Sequence, residues 1–274
     1  MMRRTLLSLP TLALAGLTLG SCGEDAPVRT PDRPGEGRIA YGDDPDQFGE
    51  LYLPEGTPRG VVVVVHGGFW LDQYDLTLGA PLATSLAAQG WVAWNLEYRR
   101  VGSGGGDPTT FDDVAAGIDM LAQLDLDLTR VVTLGHSAGG HLATWAASRG
   151  RFEQWAGGVA VTHVISQAGV LDLVAAHDDG LSDGAVENFL GHAPGPDDAP
   201  LDPTQQVPLD VPVWCVHGDG DQNVPPRQSA SYVAAATQAG ASAELVDVQG
   251  DHFVVIDATS AAWTRQLQIL DTIG

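Results

Sequence analysis

The sequence predicts an α/β fold in which a mostly parallel central sheet carries helices on both faces. From Arg38 onward, short apolar runs alternate with longer amphipathic stretches, the pattern of parallel strands joined by crossover helices. Five consecutive valines at 61–65 suit a central strand covered on both faces and would disfavour a helix. Hydrophobic residues make up 44% of the 274 residues, enough for the core of one large domain.

The elements of this fold follow from the apolar runs and the turn residues between them. Strands are predicted at 38–41, 48–53, 61–65, 91–96, 130–134, 161–167, 211–216 and 244–248, the first two forming a hairpin or pair. Helices are predicted at 76–89, 111–124, 142–148, 227–238 and 258–269. Residues 170–208, where Pro, Asp and Gly interrupt one short apolar helix around 185–190, are expected to form a cap over the site.

The N-terminus has the features of an export signal. Two arginines precede an apolar stretch at 5–19 that is too short to span a bilayer, and Leu-Gly-Ser-Cys follows at 19–22. This ending resembles the lipobox of bacterial lipoproteins, in which the cysteine is lipidated. Residues 1–22 are therefore expected to export the protein and anchor it in the cell envelope through Cys22. The alternative is an ordinary signal peptide and an extracellular protein. Residues 23–37 are predicted to be a flexible linker, and residues 38–274 the folded domain.

Charge and cysteine content narrow the classes of partner. The chain has 35 acidic residues against 13 basic ones, all arginine, and a formal charge of −22. Such a surface repels phosphate backbones and anionic lipid heads, so nucleic acid is not an expected partner, and a membrane is expected only through the Cys22 anchor. Cys215 lies in an apolar strand and is expected to be a small core residue.

Residues 135–139 match G-x-S-x-G at the junction of a predicted strand and helix. A serine hydroxyl is a poor nucleophile and needs presentation on a tight turn, where the flanking glycines leave out Cβ atoms that would collide. The following helix directs free N–H groups at the site, where they can stabilise an oxyanion. Ser137 is the candidate nucleophile and Ala138 a candidate N–H donor. The alternative is a glycine-rich turn that happens to contain serine.

A second glycine-rich loop, His-Gly-Gly-Phe-Trp at 66–70, ends the valine strand. Tetrahedral intermediates need two or more N–H donors, and the backbone of Gly68 and Phe69 is expected to supply them. His66 is expected to brace the loop by hydrogen bonding and not to act as a base.

Two further strand ends carry an acid and a histidine. Asp221 follows the strand at 211–216, where a carboxylate can orient a catalytic imidazole, with Asp219 as the alternative. His252 follows the last strand. Serine, acid and histidine thus occur in the chain order known for one hydrolase fold, whereas other serine hydrolases use different orders.

Taken together, these motifs resemble the α/β-hydrolase superfamily from about Arg38 to the C-terminus. Within it, the H-G-G-x-W loop is similar to that of bacterial esterases and kynurenine formamidases. The resemblance implies the α/β-hydrolase fold and cleavage of small esters, or of aryl amides and formamides, through an acyl-enzyme by Ser137, Asp221 and His252. It also implies that residues 97–99, Glu-Tyr-Arg where many relatives have Asp-Tyr-Arg, brace the oxyanion loop.

Several aromatic and apolar residues lie in the predicted catalytic loops or in the predicted cap. Trp70, His136, Phe189 and Leu190 are candidates for an apolar acyl or aryl pocket, although such residues could equally be packing. Neither a metal nor another cofactor is expected, because no H-E-x-x-H or comparable ligand spacing occurs. A non-catalytic binding lipoprotein on the same fold and a peptidase stay open as alternatives.

Overall fold

The computed structural model describes residues 36–273, whose strands form a mostly parallel sheet of eight. The strands are β1 Gly37–Ala40, β2 Phe48–Tyr52, β3 Val61–Val65, β4 Val92–Leu96, β5 Val131–His136, β6 His163–Gln167, β7 Val213–Gly218 and β8 Ala243–Val248. Their order in the sheet is β1-β2-β4-β3-β5-β6-β7-β8. β2 is antiparallel to β1 and β4, and the remaining neighbours run parallel. The predicted sheet and its leading hairpin are thus confirmed.

Helices cover both faces of this sheet. They are α1 Ala80–Ala88, α2 Thr109–Asp119, α3 Ala138–Ala146, α4 Leu173–Asp178, α5 Ala185–Leu190, α6 Arg227–Gln238 and α7 Ala261–Ile273. Apolar side chains of α1 and α7 share one buried cluster, and those of α2, α3 and α6 share another. Val62 and Val64 belong to the first cluster, whereas Val61, Val63 and Val65 belong to the second. Because alternate strand residues point to opposite faces, β3 lies between two helical layers, as predicted.

The boundaries of α1, α2, α3 and α7 differ from the prediction, and for α1 and α3 the residues at the helix start give the reason. The helix predicted at 76–89 is divided into a 3₁₀ turn at Leu76–Leu78 and α1, which has a proline in its first turn. Proline suits that position, where its missing N–H would have no helical partner. α3 begins at Ala138, four residues before the predicted start at 142. The glycines at 139 and 140 have low helix propensity and conceal this start in the sequence.

The segment 170–208 contains α4 and α5 together with three 3₁₀ turns, at Leu181–Asp183, Pro196–Leu201 and Pro203–Gln206. Asp172 caps α4 by accepting a hydrogen bond from the Ala175 N–H at 2.8 Å. Leu173, Val186 and Phe189 join the buried cluster of α2 and α3, which fastens the segment to that layer. Its function as a cap over a site stays a prediction. Within residues 36–273, the structure has no helix long and apolar enough to cross a bilayer.

Candidate active site

Ser137 occupies a strained turn between β5 and α3. Its φ of 56° and ψ of −119° lie in a region that non-glycine residues rarely adopt and that costs roughly 1–3 kcal/mol. Hydrogen bonds on both sides hold the turn, since the Ser137 N–H donates to the Gln167 carbonyl at 2.8 Å and the Ser137 carbonyl accepts from Gly140 N–H at 2.9 Å. The surrounding fold therefore keeps the serine in a conformation that it would not adopt by itself.

The two glycines of the G-x-S-x-G motif permit close backbone contacts around this turn. A Cβ on Gly139 would lie 2.1 Å from the Val65 carbonyl oxygen, and a Cβ on Gly135 would lie 2.1 Å from the Gly139 carbonyl oxygen. Both distances are far below van der Waals contact. The spacing seen in the sequence thus brings α3 directly against the end of β3.

The HGG loop (residues 66–70) turns sharply beside the serine. Gly68, Phe69 and Trp70 have φ angles of 114°, 55° and 58°. A Cβ on Gly67 would lie 2.6 Å from the His136 carbonyl oxygen and 3.0 Å from the Ser137 Cβ. The backbone of this loop therefore passes against the residue proposed as nucleophile, which puts Gly68 and Phe69 in the same neighbourhood as Ala138, the first residue of α3.

Glu97, Tyr98 and Arg100, here called the loop brace, hold His66 at the base of the HGG loop. The Glu97 carboxylate lies 2.9 Å from His66 Nε2, and it accepts from Arg100 Nη1 at 2.7 Å and from the Leu76 and Tyr98 N–H groups at 2.9 Å. The Tyr98 hydroxyl donates to the His66 carbonyl at 2.7 Å, and the two rings stack with centroids 4.4 Å apart. His66 therefore braces the loop, as predicted.

The prediction that Arg99 belongs to the loop brace is wrong, because Arg100 takes this place. The Arg99 guanidinium pairs with Asp113 at 2.7 Å, and the hydrogen bonds that it donates to Asp113 raise the pKa of Arg99. Arg100 instead reaches Glu97, with Asp46 on its other side at 2.7 Å. β4 has ended at Leu96, and the loop that follows sends one arginine toward α2 and the next toward the HGG loop. Two adjacent arginines could not be distinguished from the sequence.

Asp221 and His252 meet at the ends of β7 and β8. His252 Nδ1 lies 2.6 Å from Asp221 Oδ2, and Asp221 Oδ1 accepts from the N–H groups of Asn223 and Val224 at 2.8 and 2.9 Å. Burial opposes ionisation of Asp221, but hydrogen bonds from His217 and His252 outweigh it and lower the pKa of this carboxyl. The alternative acid, Asp219, accepts from the Gly250 N–H at 3.1 Å. The structure thus brings Asp221, not Asp219, to the histidine.

His136 connects the histidine loop to the serine turn. Its Nε2–H donates to the His252 carbonyl at 2.9 Å, and the two rings lie 4.4 Å apart between centroids. Burial, together with the proximity of His252, lowers the pKa of His136 to about 3, so the ring is neutral at ordinary pH. Since Ser137 directly follows His136, the His252 imidazole lies beside the nucleophile turn. A binding contact of His136 with substrate stays a prediction.

The other predicted pocket residues pack together. Trp70 and Phe189 stack with centroids 4.5 Å apart, and both are fully buried, while Leu190 is 5% exposed. These contacts and this burial fit the alternative that the three residues pack in the core. Their contact with substrate stays a prediction. Sequence reasoning missed Phe253, which is 53% exposed and meets the His252 ring edge-on at 5.2 Å. An aromatic residue directly after the histidine was the available signal.

The two cysteines of the chain are not among these candidate catalytic residues. Cys22 lies outside the described residues, so its lipidation stays a prediction. Cys215 is a free, fully buried thiol in β7, and burial raises its pKa to about 12, in agreement with a core position. Among residues 36–273, no group of three or more His, Cys, Asp or Glu side chains is arranged to hold a metal ion.

Comparison with known proteins supplies a family match and relatives. The BD-FAE family model matches residues 50–235. Isoprenylcysteine alpha-carbonyl methylesterase ICME of Arabidopsis thaliana is 28% identical over an alignment of 237 residues that covers 77% of this chain and 55% of that protein. Esterase LipC of Mycobacterium tuberculosis is 28% identical over an alignment of 219 residues that covers 72% of this chain and 53% of that protein. The chain thus spans about half the length of these curated relatives.

Solved esterase structures share the fold. Esterase B from Lactobacillus rhamnosis, solved with a tributyrin phosphonate, has a TM-score of 0.74 at 20% identity and covers 86% of this chain and 83% of its own. Thermogutta terrifontis esterase 2 phosphonylated by sarin has a TM-score of 0.71 at 23% identity and covers 89% and 95%. At these identities the likeness is one of fold, and it confirms the predicted α/β-hydrolase architecture.

Proposed function

Since this chain belongs to the BD-FAE family of α/β-hydrolases, we propose that it is a serine esterase that cleaves small carboxylic esters, with aryl amides and formamides as a second substrate class. One observation carries the proposal. His252, held by Asp221 at 2.6 Å, lies against the residue that precedes Ser137 on its strained turn. The esterases among the relatives and structural neighbours support the same activity.

The proposed reaction starts when His252 takes the proton of the Ser137 hydroxyl and the serine oxygen attacks the acyl carbon of the ester. Backbone N–H groups of Gly68, Phe69 and Ala138 stabilise the negative oxygen of the tetrahedral intermediate. His252 then gives its proton to the leaving alcohol, which leaves an acyl group on Ser137. In the second step His252 takes a proton from water, the water oxygen attacks the acyl carbon, and the bond to the Ser137 oxygen breaks as His252 returns the proton to that oxygen and the acid leaves. Asp221 holds the imidazole in the tautomer that both steps need.

The exposed ring of Phe253 favours a substrate that carries an apolar group. Phe253 is one of two large hydrophobic residues exposed within the described part of the chain, the other being Val174 on α4. An alkyl or aryl group of the ester that covers this half-exposed ring would bury apolar surface of both partners, which favours binding. We expect this ring to favour substrates with apolar groups longer than acetyl.

A fluorophosphonate probe tests the nucleophile directly. Wild-type protein should be labelled on Ser137, and Ser137→Ala should not be. Asp219→Asn, which keeps Asp221 in place, is the matched control and should be labelled like the wild type. A wild-type protein that resists labelling and hydrolyses no ester would favour the alternative of a non-catalytic binding lipoprotein.

A substrate panel tests the class of reaction. We expect p-nitrophenyl esters of increasing acyl length to be hydrolysed, and an aryl formamide measured alongside separates ester from amide preference. Hydrolysis should survive treatment with a chelator, because the mechanism uses no metal. Cleavage of peptides in preference to every ester would contradict the proposal and favour the peptidase alternative.

We also propose that Cys22 becomes lipidated after export and tethers the domain to the bacterial cell envelope. The proposal comes from the residues Leu-Gly-Ser-Cys at 19–22 that follow an apolar stretch. Metabolic labelling with an alkyne fatty acid should mark the wild type, and Cys22→Ser should abolish the label. Equal release of wild type and variant into the medium would instead indicate ordinary signal-peptide cleavage.

A further inference from the structure

His217, the fifth residue of β7, is an imidazole that the proposed mechanism does not use. Its side chain is 0% exposed. His217 Nε2 lies 3.1 Å from Asp221 Oδ2 and 3.0 Å from the Val224 carbonyl oxygen, and His217 Nδ1 lies 2.7 Å from the Ser229 hydroxyl. Asp221 Oδ2 is the same oxygen that His252 Nδ1 approaches at 2.6 Å. Two imidazoles therefore share one carboxylate oxygen.

The contacts fix which nitrogen of His217 carries a proton. Its Nε2 faces a carboxylate oxygen and a carbonyl oxygen, both of which can only accept, so Nε2 must be the N–H donor to both. Nδ1 faces the hydroxyl of Ser229, which can donate to it, and Ser229 is itself fully buried on α6. With a proton on Nε2 and the Ser229 hydroxyl donating to Nδ1, both ring nitrogens of His217 have a hydrogen-bond partner.

The result for Asp221 is a carboxylate with four donors. Oδ1 accepts the N–H groups of Asn223 and Val224, and Oδ2 accepts His217 and His252. Two donors on each oxygen fix the rotation of the carboxylate about its Cβ–Cγ bond. Without His217, Oδ2 would be held only by His252, the residue that it has to orient.

We propose that His217 is a positioning residue for the esterase reaction, which aims Asp221 Oδ2 at Nδ1 of His252. This inference rests on the proposed function, because it assigns His217 a role through the proposed acid. His217 touches neither the nucleophile nor the substrate. Its effect should thus appear in kcat, which depends on the orientation of His252, and not in KM.

A matched pair of variants tests the role. His217→Met keeps the volume and removes the donor, whereas His217→Gln can place an amide N–H near the position of Nε2. We expect His217→Met to lower kcat about 10- to 100-fold, less than the roughly 10⁴-fold loss known for removing the orienting acid of a triad, with KM within about twofold. His217→Gln should recover most of the loss. Ser229→Ala, which removes the partner of Nδ1, should show a smaller fall in kcat.

A double substitution separates positioning from general packing. In an Asp221→Asn background, His217→Met should change kcat by less than about threefold, because its partner is already altered. Thermal unfolding of each variant controls for misfolding. An undiminished kcat in folded His217→Met, or the same loss in both backgrounds, would overturn the proposal.

A spectroscopic measurement needs no turnover. The His252 Nδ1–H donated to Asp221 should give a downfield proton resonance, which His217→Met should shift or broaden and His217→Gln should restore. A resonance unchanged in both variants would overturn the role of His217. A wild type with this resonance but no hydrolysis of any ester would instead overturn the proposed function and leave the positioning of Asp221 by His217 standing.

Discussion

Replacing Glu97 with leucine removes the carboxylate at the centre of the loop brace while keeping a side chain of similar size. The Glu97 side chain is 3% exposed and accepts four hydrogen bonds, from His66, Arg100 and two backbone N–H groups. Its loss removes the carboxylate acceptor of His66 Nε2 and of the two backbone N–H groups, all of them buried, whereas Arg100 Nη1 keeps the Tyr74 carbonyl at 2.7 Å. Breaking a buried pair from one side costs about 3–5 kcal/mol, which for a domain of this size corresponds to a melting temperature lower by about 6–20 °C.

Glu97→Leu should also lower the esterase activity, because Glu97 holds His66, the first residue of the HGG loop. A displacement of about 1 Å in a catalytic group can cost about 10²-fold in rate, so we expect kcat to fall by roughly that factor. The assays are thermal unfolding and hydrolysis of p-nitrophenyl acetate well below the melting temperature. Asp46→Asn is the control. This substitution removes the charge of Asp46, the other carboxylate that contacts Arg100. The Asp46 side chain is 26% exposed, so the substitution should lower the free energy of unfolding by about 1 kcal/mol or less. A Glu97→Leu protein that melts within 2 °C of the wild type would refute the reasoning.

Three further changes test the serine turn, the buried histidine and the exposed aromatic ring. Gly139→Ala places a Cβ 2.1 Å from the Val65 carbonyl oxygen, so thermal unfolding should show a loss of about 1–3 kcal/mol and hydrolysis should fall. His136 has its pKa lowered to about 3, against about 6.5 when unfolded. As the pH falls, the unfolded chain therefore takes up a proton at this histidine before the folded chain does, and the free energy of unfolding decreases between about pH 6.5 and 3. Urea unfolding of His136→Gln should lack this part of the pH dependence. Phe253→Ala should raise KM for p-nitrophenyl octanoate about 5- to 10-fold, and KM for the acetate little, because about 1 kcal/mol of apolar contact is lost.

Each of these changes has a matched control in the described chain. Gly150→Ala adds a Cβ that meets nothing within 4 Å, and it should leave stability unchanged. His192 is exposed, so His192→Gln should leave the acid slope of stability almost as in the wild type. Val174→Ala removes the other exposed apolar side chain and should not alter the preference for acyl length. If a control and its test variant behave alike, the corresponding reasoning is wrong.

The order of elements could be predicted because each strand carries its own signal. The five valines of β3 have no polar alternation, which requires burial on both faces, and the structure divides them between two cores. The glycines at 135 and 139 predicted the tight turn at Ser137, because only residues without Cβ permit the contacts that these two make. Helix starts were less predictable where packing requires glycine at a position that helix propensity disfavours, as at the beginning of α3.

The sequence by itself determined which strand ends carry the candidate site residues, because a strand, its turn and the residue that follows are neighbours along the chain. Contacts between separate loops were decided by the tertiary structure. Three contacts depend on where a side chain points at or after the end of its strand. They are the contact of Asp221 and not Asp219 with His252, the contact of Arg100 and not Arg99 with Glu97, and the contact of a second imidazole, His217, with Asp221. That direction is set by packing between segments distant in sequence, as between β7, α6 and the loop after β8, and no local pattern encodes it.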